Sequence, residues 1–134
     1  MNTKTSELTE LAALCEYAKM KNNLSTKYLA PILARDFVYE SQMVMKPIKS
    51  RSEFLNYMDS NLETIANTGS IVFAEMGTIE TYFLLRPCVI LAQDDKDKII
   101  GNALAEVKRN ELKRIDLCIV PPPEKASRSR EYPR

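Results

Sequence analysis

The sequence contains no histidine, no tryptophan and only three glycines. Without histidine the chain has no imidazole for metal ligation or for acid–base catalysis, and scattered glycines cannot form a phosphate-cradling loop. One-sided charge is missing too. Nineteen Lys and Arg face 18 Asp and Glu, a net charge of +1, so the basic footprint of a general nucleic-acid binder is absent and no nucleic-acid partner is expected. The cysteines are Cys15, Cys88 and Cys118, odd in number, widely spaced and without a C-x-x-C pair. That pattern supports neither a disulfide framework nor a zinc knuckle, so three reduced thiols in a cytoplasmic protein are expected. No stretch approaches 18 consecutive apolar residues, and the first residues are polar, so neither export nor a membrane partner is expected. No cofactor is expected.

What is present suits one domain. The chain has 134 residues, 45% hydrophobic and 28% charged, enough to bury roughly two thirds of its unfolded surface. Leu8, Leu11, Ala12, Leu14, Cys15 and Ala18 fall at helical spacing, with Thr5 or Ser6 as cap. Ser25 opens a short turn carrying Tyr28, Leu29, Ile32 and Leu33, which Pro31 keeps irregular. Residues 36–46 suit a strand, and Phe54, Leu55, Met58, Leu62 and Ile65 trace a further helix closed by Asn67, Thr68 and Gly69. Four strand patterns follow at 70–80, 87–93, 98–108 and 112–120, an antiparallel meander. A two-residue turn at Arg109-Asn110 would set Lys108 against Glu111 and Glu106 against Lys113. Residues 123–134, rich in Pro and Arg, are expected to be a mobile or partner-ordered tail to a domain of residues 1–122. The element order predicts an α+β fold with helices in the concavity of a strongly curved, mostly antiparallel sheet.

At residues 33–41, Leu-Ala-Arg-Asp-Phe-Val-Tyr-Glu-Ser, the chain resembles the start of the first strand in the nuclear transport factor 2-like superfamily, which includes ketosteroid isomerases and SnoaL-type polyketide cyclases. Residues 48–58, Ile-Lys-Ser-Arg-Ser-Glu-Phe-Leu-Asn-Tyr-Met, resemble that superfamily's loop and third helix, with Ser50 where a glycine usually stands. The resemblance covers residues 8–120 and is one of topology. It implies a cone-shaped α+β barrel with a pocket between helices and sheet, often dimerising through the sheet. In the isomerase branch a strand-one aspartate is the proton-shuttling base, and the Asp-x-x-x-Glu alignment puts its position on Ser41. A hydroxyl with no neighbouring base cannot serve there.

Six residues are candidates for lining the cone: Tyr39, Ser41, Tyr57, Glu75, Arg114 and Asp116. Tyr39, Ser41 and Met43 share a strand face, where a tyrosine either stacks on a ligand or seals the core. Glu75 stands alone among apolar neighbours, so it either faces solvent or sits in a cavity. Arg114, Asp116 and Cys118 alternate on one face of the last strand, and the predicted register adds Gly101, Ala103 and Ala105 to that face. The Arg and Asp form a plain ion pair or an anchor for an anionic or carbonyl-bearing ligand. The other face, with Val89, Leu91, Ile100, Leu104, Ile115, Leu117 and Ile119, needs covering, by the helices or by a second subunit. Three readings follow: a non-catalytic homodimer whose cone binds a small, mostly apolar molecule; an acid–base enzyme using Glu75 or Asp116; and a protein-interaction or immunity-type module.

Overall fold

The computed structural model describes residues 7–42, 46–119, 122 and 125–134. Helix α1 (Glu10–Asn23) starts where the Thr9 hydroxyl accepts from the Ala12 N–H at 3.0 Å. The cap is therefore Thr9; Thr5 and Ser6 lie outside the described residues. Ala13, Leu14, Tyr17, Ala18, Met20 and Lys21 form its buried stripe. Two 3-10 turns, Thr26–Tyr28 and Ala30–Ile32, lead into strand β1 (Leu33–Ser41). It starts earlier than expected because Leu33 and Ala34 already belong to the core. Residues 43–45 of the expected strand, Met43 included, lie outside the described residues. Helix α2 (Arg51–Thr68) is capped by the Ser50 hydroxyl, which accepts from the Glu53 N–H, and ends at Gly69 in the left-handed conformation at φ 76°.

The meander is antiparallel as expected: β2 (Val72–Thr81), β3 (Leu84–Gln93), β4 (Ile99–Lys108) and β5 (Glu111–Cys118). Strand β1 joins it beside β5, in parallel, and a short β6 (Ser127–Arg128) adds to β2, giving the order β1-β5-β4-β3-β2-β6. The helices pack on one face of this curved α+β sheet. All three cysteines are free thiols. Among the described residues no helix is long and apolar enough to cross a membrane.

The register corrects one expectation. Arg109 and Asn110 both take positive φ, and Lys108 faces Glu111, as the two-residue turn requires. Glu106, however, faces Arg114 and not Lys113, because a β-bulge inserts Lys113. The cause is visible in the burial. Leu112 and Ile115 are both fully buried in the helix-side core, yet residues three apart on a regular strand point to opposite faces. One extra residue reconciles them. Beyond the bulge Asp116 lies opposite Leu104, so Ala103 and Ala105 share the helix side with Ile115 and Leu117. The small residues make room for α1, and Arg114 and Asp116 point away from the helices.

The C-terminal residues also differ from the expected mobile tail. Residues 125–134 fold back along β2, which would otherwise expose a full ladder of unpaired backbone groups. Gly77 and Thr78 pair with Arg128 and Ser127, the Met76 N–H donates to the Glu131 carbonyl at 2.9 Å, and the Asn22 amide bonds both Ala74 and the Pro133 carbonyl. A Cβ on Gly77 would lie 2.8 Å from the Ser127 carbonyl oxygen, so only glycine lets the segment approach so closely. Ala126 caps a second apolar cluster on the outer face, with Ile79, Cys88, Ile90, Leu104 and Cys118.

Glu75 fastens this strap. Its carboxylate, 2% exposed, accepts from Arg128 Nε at 2.9 Å, from the Arg130 N–H at 2.8 Å and from the Tyr132 hydroxyl at 3.2 Å. Removing one partner of a buried pair leaves the other uncompensated, so Glu75→Gln should lose about 3 kcal/mol in urea unfolding. The same substitution made on an Arg128→Met background should cost far less; equal losses in both backgrounds would show that the pair is not coupled.

Candidate functional site

Among the described residues, three places bring chemically distinctive side chains together. The first is inside, between helices and sheet. Phe37, Tyr39, Phe54 and Tyr57 form a continuous aromatic row, with ring centroids 4.8 Å apart for Phe37 and Phe54, 5.2 Å for Tyr39 and Phe54, and 6.0 Å for Tyr39 and Tyr57. Tyr39 is buried and Tyr57 reaches the surface. Behind them Tyr17 is fully buried, and its hydroxyl has no hydrogen-bond partner among the described residues. Burial, with Tyr39 and Tyr57 nearby, pushes that phenol well above its ordinary pKa. One helical turn on, the Lys21 ammonium lies 5.8 Å from the Tyr17 ring centroid, and burial pushes it down to about 8. Around these groups Leu14, Met20, Phe37 and Phe54 are all 0% exposed, so the interior is filled by the protein's own side chains.

The second place is the Glu75 node beneath the strap, described above. The third is a cleft of about 610 Å³ on the side of the sheet turned away from the helices. Its formation starts at Pro87. The β3–β4 ladder runs from Ala92 to Val89 and stops, since Pro87 has no N–H to donate and residues 84–88 pair with β2 alone. The outer half of the β2–β3 hairpin therefore leaves the sheet as a two-stranded arm. Arg86 bridges the gap, donating to the Ala105 carbonyl at 2.9 Å and reaching Glu10 at 3.4 Å. Between arm and sheet lie Leu104 and Cys118, with Glu40, Arg114 and Asp116 on the rim. Arg114 Nε donates to both Asp116 oxygens at 3.0 Å, and its Nη2 bonds Glu40. Among the described residues no three Cys, Asp or Glu side chains gather as a metal site.

No family model matches the sequence, and no curated protein does. Solved structures do. A nuclear transport factor 2-like protein of unknown function from Cytophaga hutchinsonii superposes with a TM-score of 0.60 at 14% identity, over 90% of this chain and 98% of that one. The chain has the nuclear transport factor 2-like fold. A SnoaL-like protein of unknown function from Burkholderia thailandensis gives 0.58 at 9% identity, over 84% of this chain and 98% of the other. A protein provisionally named a ketosteroid isomerase, from Kribbella flavida, gives 0.56 at 17% identity, over 81% and 75%. A de novo designed protein with a curved β-sheet gives 0.58 at 13% identity, over 82% and 86%. Proteins of unknown function, one named an isomerase and a designed chain share this shape, so the shape by itself assigns no activity.

Within the cone the six candidates do not converge. Tyr39 and Tyr57 lie on the helix side. Ser41, at the end of β1 opposite Leu117 and on the same strand face as Tyr39, only borders the outer cleft that Arg114 and Asp116 rim, and Glu75 stands apart under the strap. The bulge at Lys113 is the reason Arg114 and Asp116 face out. Tyr17, Lys21 and Arg128 were not among the candidates. Lys21 was detectable: it falls four residues after Tyr17 and seven after Leu14, on the buried stripe of α1, where a lysine is out of place.

Lys21 makes stability depend on pH. Below about 8 both folded and unfolded chains carry its proton, and the native state bears the full burial cost. Between about 8 and the ordinary 10.5 only the unfolded chain holds the proton, so stability rises with pH through that window. Lys21→Met should be more stable than the parent by about 3 kcal/mol at pH 7. That gain should shrink as urea titrations move towards pH 10, and a gain independent of pH would mean the ammonium is not desolvated.

Proposed function

We propose that this protein is a non-catalytic interaction module: a nuclear transport factor 2-like domain, cytoplasmic and homodimeric, that works through the outer side of its sheet. The observation that carries this reading is that the cone is filled by Leu14, Tyr17, Met20, Phe37 and Phe54, while the 610 Å³ concavity lies on the opposite face. A catalytic cone needs an open interior with a proton-transferring group beside it. Glu75 and Asp116, the acids an enzyme would use, are each engaged by an arginine, and neither faces the interior. Three free thiols accord with a reducing compartment. Sedimentation velocity at tens of micromolar should give a particle of twice the 15.3 kDa chain mass; a monomer would overturn the reading.

A second reading is favoured by one observation, the unpartnered Tyr17 hydroxyl. A small, mostly apolar, carbonyl-bearing molecule admitted to the cone would accept a hydrogen bond from it. The two readings part at Tyr17→Phe. If the interior holds only protein, deleting an unsatisfied buried hydroxyl raises stability by about 1 kcal/mol. If the purified protein retains a bound carbonyl compound, the variant loses both stability and the extra mass seen in native mass spectrometry.

A further inference from the structure

The tip of the β2–β3 arm is built against the ordinary rules for a hairpin. Tyr82 and Phe83 occupy the two turn positions at φ 49° and 67°, the left-handed region that two-residue turns reserve for Asn and Gly. Bulky aromatics are strained there, and here they gain nothing from their own chain: Tyr82 is 95% and Phe83 96% exposed. Leu84 and Leu85 behind them are 66% and 72% exposed, so four consecutive large apolar residues stand in water. The arm that carries them is two-stranded, and a lone hairpin is marginally stable without something packed on it.

We propose that a second copy of this chain completes the arm: each Tyr82–Phe83 tip seats in the other copy's cleft, between arm and sheet, about a two-fold axis. This rests on the homodimer reading and names the surface that holds the dimer. Tip and cleft lie side by side on one molecule, with Tyr82 itself on the cleft wall, so one two-fold rotation makes both contacts at once. The cleft offers apolar Leu104 and Cys118 to the rings, and the Glu40–Arg114–Asp116 rim supplies acceptors and donors to a tyrosine hydroxyl. The area suffices. Two aromatics bury roughly 300–500 Å² together, and with both leucines each tip approaches the roughly 800 Å² per partner of a standard interface. A lipid surface is the poorer occupant. The base of the arm carries Glu80 beside Arg86, and Arg86 is already bonded to Ala105 and Glu10, so no basic cluster awaits anionic headgroups.

The deciding variant is Tyr82→Asn with Phe83→Gly. Asn-Gly is the preferred pair for this turn, so the hairpin is kept or improved while the aromatic contact is removed. Sedimentation should show the dimer dissociation constant raised at least tenfold, with thermal unfolding of the full chain showing no loss of the folded state. A photo-crosslinking benzophenone side chain at position 83, in dimers mixed from ¹⁵N-labelled and unlabelled chains, should join tip to the 104 and 114–118 region of the other isotope's chain. A parent dimer whose affinity changes less than tenfold in the variant, or whose crosslinks fall elsewhere, overturns arm exchange and leaves the homodimer reading standing. A monomeric parent overturns both, and a monomer that pellets with phosphatidylserine-containing vesicles only while Phe83 is present assigns the tip to membranes instead.

Discussion

A carboxylate almost wholly removed from water has to be met by donors, and Glu75 is met by three, all from one C-terminal stretch of chain. Much else depends on that node. Arg128, held at Glu75, spends its remaining N–H groups on Asp97 and the Lys96 carbonyl and so ties the β3–β4 turn to the strap. Its hydrogen bond is also what holds the Asp97 carboxyl below its ordinary range. Tyr132 meets the Phe73 ring edge to face, and the Lys96 ammonium lies over both rings. The strap in turn closes the open edge of β2 and shields the outer apolar cluster, so part of the sheet face available to a partner is already occupied by the chain itself.

What remains open on that face is set by two local features. The bulge at Lys113 turns Arg114 and Asp116 outward, and Pro87 releases the arm from β4. Together they make a cleft with charged rim and apolar floor where an uninterrupted sheet would be flat. The Arg114 cluster is half exposed, and such pairs add little to stability. Its value lies in placing both signs of charge beside a concavity.

The same fold hosts isomerase- and cyclase-like names among its structural neighbours and a designed protein with no natural history. Shape alone therefore says nothing of chemistry. Among the described residues, aromatic and aliphatic side chains fill the cone to 0% exposure, with the unsatisfied Tyr17 hydroxyl and the desolvated Lys21 ammonium as polar groups of note.

The order of elements was legible in the sequence because it rests on local chemistry: apolar periodicity for α1 and α2, Gly69 at the end of α2, Arg109-Asn110 as a turn. Those signals act within a few residues and need no partner. The bulge was half legible. Leu112, Ile115 and Leu117 are spaced three and then two, which a regular strand cannot bury on one side, but only the helix-side core required all three to be buried. The strap was not legible at all. Its residues are polar and carry no periodicity, and their order comes from Glu75, 53 positions before Arg128, and from the vacant edge of β2. Periodicity determined which residues are apolar and how they alternate; tertiary packing alone decided which face meets the helices, because a shift of one residue exchanges the two faces and only the competing cores on either side of the sheet can choose between them.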